Sequence, residues 1–440
     1  MTSETTANET ATAGKPHFPG LDSLRFLAAF FVVLDHIPMN QGSAGLPNPS
    51  YGALFFRGEP AVAFFFTLSG FLITYLLLEE RRRTGEVRVG SFYLRRACRI
   101  WPLYFLIVIL GLSFYNFLLP RLSIHYPVEY DLRVAVLFYV LLLPNVMNGL
   151  YRVGGILNPL WSIGVEEQFY LFWAPALRRL RDALPGFCWG LLGTSFAAFC
   201  LNHAGVFGGG SVHMIAGQLR FHFMAAGALC AWALQRHRER LLALLPFSSR
   251  PLQYLLAALL LEYYLAGLIP WGWFLEEILQ VVLYSWLIVT VAANPRNVVR
   301  VSNPACEYLG TISYGLYMWH MVAIYGTSAL FRATSWWRGH LALYCIAYYG
   351  IAFGATVLIS HLSYRWLERP FLRLKDRRYS PVSALAPLGA THASAASALP
   401  SRPDPGSGTA APAPFPAGPL ARSLDQRVAP GIAGADGAGG

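Results

Sequence analysis

The stretch LDSLRFLAAFFVVLDHIPMN, residues 21–40, has the apolar density of a membrane-crossing helix, yet it carries an arginine and a histidine. Arg25 and His36 are eleven residues apart, and at about 100° per residue that spacing turns both side chains to within roughly 20° of one helix face. Asp22 lies one turn before Arg25 on nearly the same face, placed to pair with it, while Asp35 points elsewhere. Histidine as a residue type titrates near neutrality, so it suits general acid–base chemistry. The ordinary alternative is that Arg25 snorkels to one membrane surface while His36 sits in the opposite headgroup layer.

Other apolar runs carry groups of the same kind. LNPLWSIGVEEQFYLFW places Ser162, Glu166 and Gln168 within a span, where an unpaired carboxylate is costly. TISYGLYMWH spaces Ser313, Tyr317 and His320 at i, i+4 and i+7, one helix face. GQLRFHFMAAG puts Arg220 and His222 near the end of another span. Taken singly, each is as well read as hydrogen-bonding glue between helices. Several spans offering acid, base and cation together point instead to one shared cavity. Arg96 and Arg99 add a guanidinium pair on one side of a helix start, a pattern that suits a phosphate-bearing ligand. Neighbouring Arg81, Arg82 and Arg83 read as an ordinary positive cluster beside a membrane.

The elements that must position these residues follow from composition. The 440-residue chain is 55% hydrophobic and 13% charged, which excludes an ordinary soluble protein and predicts an all-α integral membrane protein. Ten apolar runs are expected to span, at 21–38, 60–78, 100–119, 158–177, 187–204, 215–234, 251–269, 273–293, 312–330 and 341–364. The shorter run 134–147 reads as a partial or re-entrant segment, tolerable only where protein covers its backbone. With the N-terminus inside, the predicted cytoplasmic loops hold 22 Lys/Arg and the outer loops six, which favours both termini in the cytoplasm. The net charge of +11 is therefore a topology signal and no nucleic-acid footprint.

The six cysteines show neither CxxC pairing nor metal spacing, so free thiols and no metal are expected. Residues 1–17 read as a flexible polar arm and 379–440 as a disordered Ala/Pro/Gly-rich tail, with 18–378 forming one transmembrane domain. No cleavable leader is expected ahead of the first span.

Six motifs in order resemble those of the acyltransferase 3 family of integral membrane acyltransferases, over about residues 18–376. They are Arg25 to His36, FFFTLSGFLI at 64–73, Arg96 to Arg99, WSIGVEEQFYL at 161–171, SYGLYMWH at 313–320 and SYRWLERP at 363–370. Ile163 and Gly164 replace the more usual Leu-Ser, and Ala61 stands where Gly is expected. No SGNH-type esterase domain follows, so a stand-alone acyltransferase is expected.

The resemblance implies a bacterial inner-membrane enzyme moving an acyl group, usually acetyl, from cytosolic acyl-CoA to a hydroxyl of a glycan, a lipid-linked sugar or a secondary metabolite. It implies His36 and Glu166 as catalytic residues, with Glu166 orienting His36 or binding the acceptor. Arg25, Arg96 and Arg99 bind the donor. Asp22, Ser69, Trp161, Ser162, Arg220, Ser313, Tyr317 and His320 bind substrate or support the site. Direct transfer and an acyl-histidine relay both remain open, as does the oligomeric state. The donor arm is expected to run between Arg25 and His36 past Ala28, Ala29 and Val32, so that Ala29→Trp would plug the passage. The rival class is a proton-coupled transporter, against which stands the lack of internal repeats and of matched Gly/Pro-broken helices.

Overall fold

A computed structural model describes residues 18–49, 57–335 and 337–379. The N-terminal arm at 1–17 and the tail from 380 onward lie outside them. Among the described residues the architecture is all-helical, and a helix of twelve residues or more overlaps each of the ten apolar runs. These are α1 (Pro19–Ser43), α2 (Gly58–Thr84), α3 (Val89–Ser113), α4 (Leu160–Arg179) and α5 (Leu184–His203). They continue as α6 (Phe221–Arg236), α7 (Arg250–Leu261), α8 (Trp273–Ala293), α9 (Ser313–Ala333) and α10 (Leu341–Ser363). Five are long and apolar enough to cross a bilayer: α2, α5, α8, α3 as extended through a π-helical turn to Arg121, and α10 as extended to Leu374. The chain is a multi-pass membrane protein.

The centre of the bundle is the crossing of α2 with α6, made close by small residues. A β-carbon on Gly70 or Gly227 would collide with the main chain of the other helix, at Met224 and Thr67 respectively. Without a hydrophobic force between helices in lipid, such close backbone approach is what dispersion and packing require. Beside it, α1 lies against α2, α9 and the short Pro304–Thr311 helix, with Gly310 set against the main chain of Asp22.

The run at 134–147 forms two short helices, Leu132–Val140 and Pro144–Leu150, neither long enough to cross. The chain then stays irregular through Tyr151–Pro159 before α4 begins. That loop is covered: Val153, Ile156 and Leu157 are buried, the Tyr115 hydroxyl accepts from the Ile156 amide at 3.0 Å, and Asn148 donates to the Asn158 carbonyl at 2.9 Å. Gly154 turns at φ +82°, a left-handed conformation that a side chain would strain. Its missing β-carbon leaves room for the Tyr115 ring. Irregular backbone at membrane depth persists only under such cover. The six cysteines are scattered along the chain.

Candidate active site

A cavity of about 790 Å³, part of it open to solvent, lies between α1, α2, α3, α4 and α9. Its lining collects Arg25, Ser69, Arg96, Arg99, Ser162, Glu166, Ser313 and Tyr317, all anticipated from sequence, and Tyr170 and Tyr314, which were not. Three guanidinium groups thus meet one carboxylate. Asp22 pairs with Arg25 at 3.3 Å, as their spacing requires. Arg96 and Arg99 have no carboxylate within ion-pair distance among the described residues. The Arg96 guanidinium instead lies over the faces of Phe92 and Tyr170, 5.7 and 5.9 Å from their centroids, with its buried Nε unpartnered. A cavity walled by uncompensated guanidinium groups is a site for an anion.

Glu166 is fixed within this cavity. Ser69 donates to one oxygen at 2.8 Å and Tyr170 to the other at 2.9 Å. Tyr170 follows Glu166 by one helical turn, so the i, i+4 spacing was the signal that could have found it. Glu166 does not orient His36, because His36 lines a second cavity of about 1170 Å³, part of it open to solvent, that includes Asn40, Tyr126, Asn148, Arg152 and Tyr325. Arg25 and His36 share a face of α1, as their spacing predicts, but they open into different cavities.

One layer of side chains separates the two. On the first side, Tyr317 donates to the Pro159 carbonyl at 2.9 Å, with the Ser162 hydroxyl 2.7 Å from its own. On the other, His36 packs against His320 with ring centroids 4.8 Å apart. His320 is fully buried, its Nδ1 bonded to the Tyr317 carbonyl and its Nε2 without a partner. His36 Nδ1 sits 2.9 Å from the Val32 carbonyl, which can only accept, so Nδ1 carries the hydrogen and Nε2 the free lone pair of the neutral ring. A base at Nε2 follows from that tautomer.

The passage expected past Ala28, Ala29 and Val32 is absent. Ala29 is fully buried against Ile312 and Leu316, and Ala28 and Val32 belong to the main core. The periodicity identified the face correctly but not the helix packed on it. Trp161 also lines neither cavity; its half-buried ring meets Phe66 edge-on at 6.0 Å.

Arg220 stands apart. It pairs with Glu59 at 2.5 Å and approaches Glu277 at 3.6 Å. Beside it, His222 Nε2 is 2.8 Å from Glu277 and Nδ1 is 3.1 Å from the Ser195 hydroxyl. Serine, histidine and carboxylate in a row have the composition of a nucleophilic triad. Here Ser195 also accepts from the His222 amide at 3.0 Å and lies 3.3 Å from the Leu219 carbonyl, and it borders neither cavity. The group ties α5, α6 and α8 together, so Arg220 supports the bundle and not the arginine-lined cavity.

The class these features define is a membrane protein that sets an arginine-lined cavity against a histidine-lined one. The acyltransferase-domain signature of the acyltransferase 3 family matches residues 18–365, and the chain belongs to that family. Among its relatives, the "Putative O-acetyltransferase" of Staphylococcus aureus (strain COL) is 27% identical over 382 residues, covering 81% of this chain and 57% of the relative. The peptidoglycan O-acetyltransferase OatA of Listeria monocytogenes serovar 1/2a is 25% identical over 408 residues, covering 84% and 60%. O-acetyltransferase OatA of S. aureus (strain NCTC 8325) is 24% identical over 379 residues, covering 80% and 57%. The chain spans less than two thirds of the length of these relatives. No solved structure matches it.

Proposed function

We propose that this chain is an O-acyltransferase of the bacterial inner membrane. It takes an acyl group, acetyl by preference, from cytosolic acyl-CoA and gives it to a hydroxyl of an envelope glycan or lipid-linked sugar. In this reading the chain crosses the bilayer ten times with both termini in the cytoplasm. The arginine cavity faces the cytoplasm and the His36 cavity faces outward. The observation that carries the proposal is the pairing itself: uncompensated arginines on one side of a single side-chain layer and an oriented imidazole on the other.

Arg96, Arg99 and Arg25 hold the phosphates and the entry of the pantetheine arm, whose thioester reaches the Tyr317–His320 layer. Transfer requires that layer to part, and its Tyr317 bonds to Pro159 and Ser162 are the ones to break. His36 Nε2 takes the acceptor proton as the hydroxyl oxygen bonds to the thioester carbonyl carbon. The carbon–sulfur bond then breaks and the departing thiolate receives the proton. In the relay version His36 Nε2 attacks first, CoA leaves, and the acceptor later takes the acyl group from the ring. Glu166, held by Ser69 and Tyr170, acts on the donor side.

The test is transfer by the purified, detergent-solubilised protein. With radiolabelled acetyl-CoA and isolated envelope glycans, label should enter glycan in step with release of free CoA thiol. Hydrolysis of acetyl-CoA without glycan marks the relay. Glycan or CoA binding with no thiol release would leave the transporter reading in its place.

A further inference from the structure

Resting on the reading of the His36 cavity as the acceptor site, we infer that its acceptor is an acidic sugar whose carboxylate is held by Arg152. The lining has the chemistry of carbohydrate recognition. Tyr126, Tyr151 and Tyr325 offer aromatic surface, and Asn40, Asn148 and Asn158 offer amides. Asn148 is 8% exposed and spends its Nδ2 on Asn158, at 2.9 Å to the carbonyl and 3.0 Å to the side-chain oxygen. Its own Oδ1 has no donor among the described residues, and a buried acceptor left open calls for a hydroxyl from a ligand.

Charge narrows the class. Among the described residues Arg152 is the one Lys or Arg in the lining, and no Asp or Glu joins it there. Arg152 is exposed, with no carboxylate within ion-pair distance among the described residues. Two acidic residues come near without entering: Asp35 lies 3.8 Å from His36 Nδ1, and Glu129 influences Tyr126, as Arg152 does. The planar fork of arginine matches a carboxylate through two parallel hydrogen bonds. A neutral sugar would leave that fork unmatched.

The experiment measures binding to the full-length protein in detergent, by native mass spectrometry and calorimetry. The probes are two tetrasaccharides of equal length: chitotetraose, which is neutral, and the hyaluronan tetrasaccharide, in which glucuronic acid alternates with N-acetylglucosamine. Wild type should prefer the acidic probe by at least roughly tenfold. Arg152→Gln should abolish that preference and leave the neutral affinity alone, while Arg152→Lys should keep part of it.

Equal affinities in wild type, binding of neither probe, or a preference that survives Arg152→Gln would overturn the inference. So would a response of Arg152→Gln confined to added phosphatidylglycerol, which would make the partner a lipid headgroup. Labelled transfer to envelope glycans separates this from the underlying reading. If transfer occurs without an acidic preference, only the sugar class is wrong; if no transfer occurs at all, the acyltransferase assignment falls with it.

Discussion

At the scale of residues, His36 and the arginines carry separable predictions. His36→Ala removes the base but little packing, since the ring is only partly buried. That variant should insert and purify normally and transfer no label; wild-type yield of acylated glycan by mass spectrometry would take His36 out of the mechanism. Arg96→Gln and Arg99→Gln each delete charged donors from the anion site, at about 1.5–3 kcal/mol per charge-assisted bond lost. CoA affinity in the double variant should therefore drop by two orders of magnitude or more, and an unchanged calorimetric titration would reduce both arginines to topology signals.

At the scale of elements, the sequence was legible wherever one helix decides the outcome. The eleven-residue spacing of Arg25 and His36 correctly placed them on one face of α1, and the three-residue spacing correctly paired Asp22 with Arg25. Three or more helices were expected to share one cavity; Arg25, Ser69, Arg96, Glu166 and Tyr317 do meet in one, but His36 opens into another. Illegible were the contacts that depend on which helix packs opposite. Ala29 looked like room for a substrate because alanine is small, whereas Ile312 and Leu316 fill that room. Arg220 looked like part of the site because it is charged and near a span end, but Glu59 and Glu277 claim it.

The filled seam changes the forecast for Ala29→Trp. Instead of plugging a passage, the indole would overpack the joint between α1 and α9, where insertions of this kind cost about 1–3 kcal/mol or more. A lowered melting temperature in detergent is expected together with any loss of turnover. Lost turnover at unchanged melting temperature would restore the passage past Ala29.

At the scale of the whole molecule, the proposed topology has ten crossings with both termini in the cytoplasm, of which five helices have the length and apolarity to cross by themselves. Reporter fusions test this directly. A fluorescent protein at the N-terminus, or after Tyr379, should fold and glow in the cytoplasm. Alkaline phosphatase inserted after Arg338 should be active outside. Activity of phosphatase fused after Tyr379 would show an odd number of crossings and reverse the assignment of one cavity.

The single layer formed by Tyr317, His320 and His36 also has an electrical meaning. Where aqueous cavities approach from both sides, most of the membrane voltage drops across the thin wall between them. A full elementary charge moved through 100 mV exchanges about 2.3 kcal/mol. In the proposed reaction the acceptor gives up its proton on the outer side and the CoA thiolate regains it on the inner side, while the acyl group leaves that sulfur for the acceptor oxygen in the opposite sense, so a completed turnover moves no net charge through that wall. In proteoliposomes holding acetyl-CoA inside and glycan outside, an imposed potential of either sign should therefore leave the final yield of acylated glycan unchanged, and a yield that follows the potential would show a charge crossing that this exchange does not contain. The thin wall would then let a group cross an energised membrane at no electrical cost, because proton and acyl group exchange places.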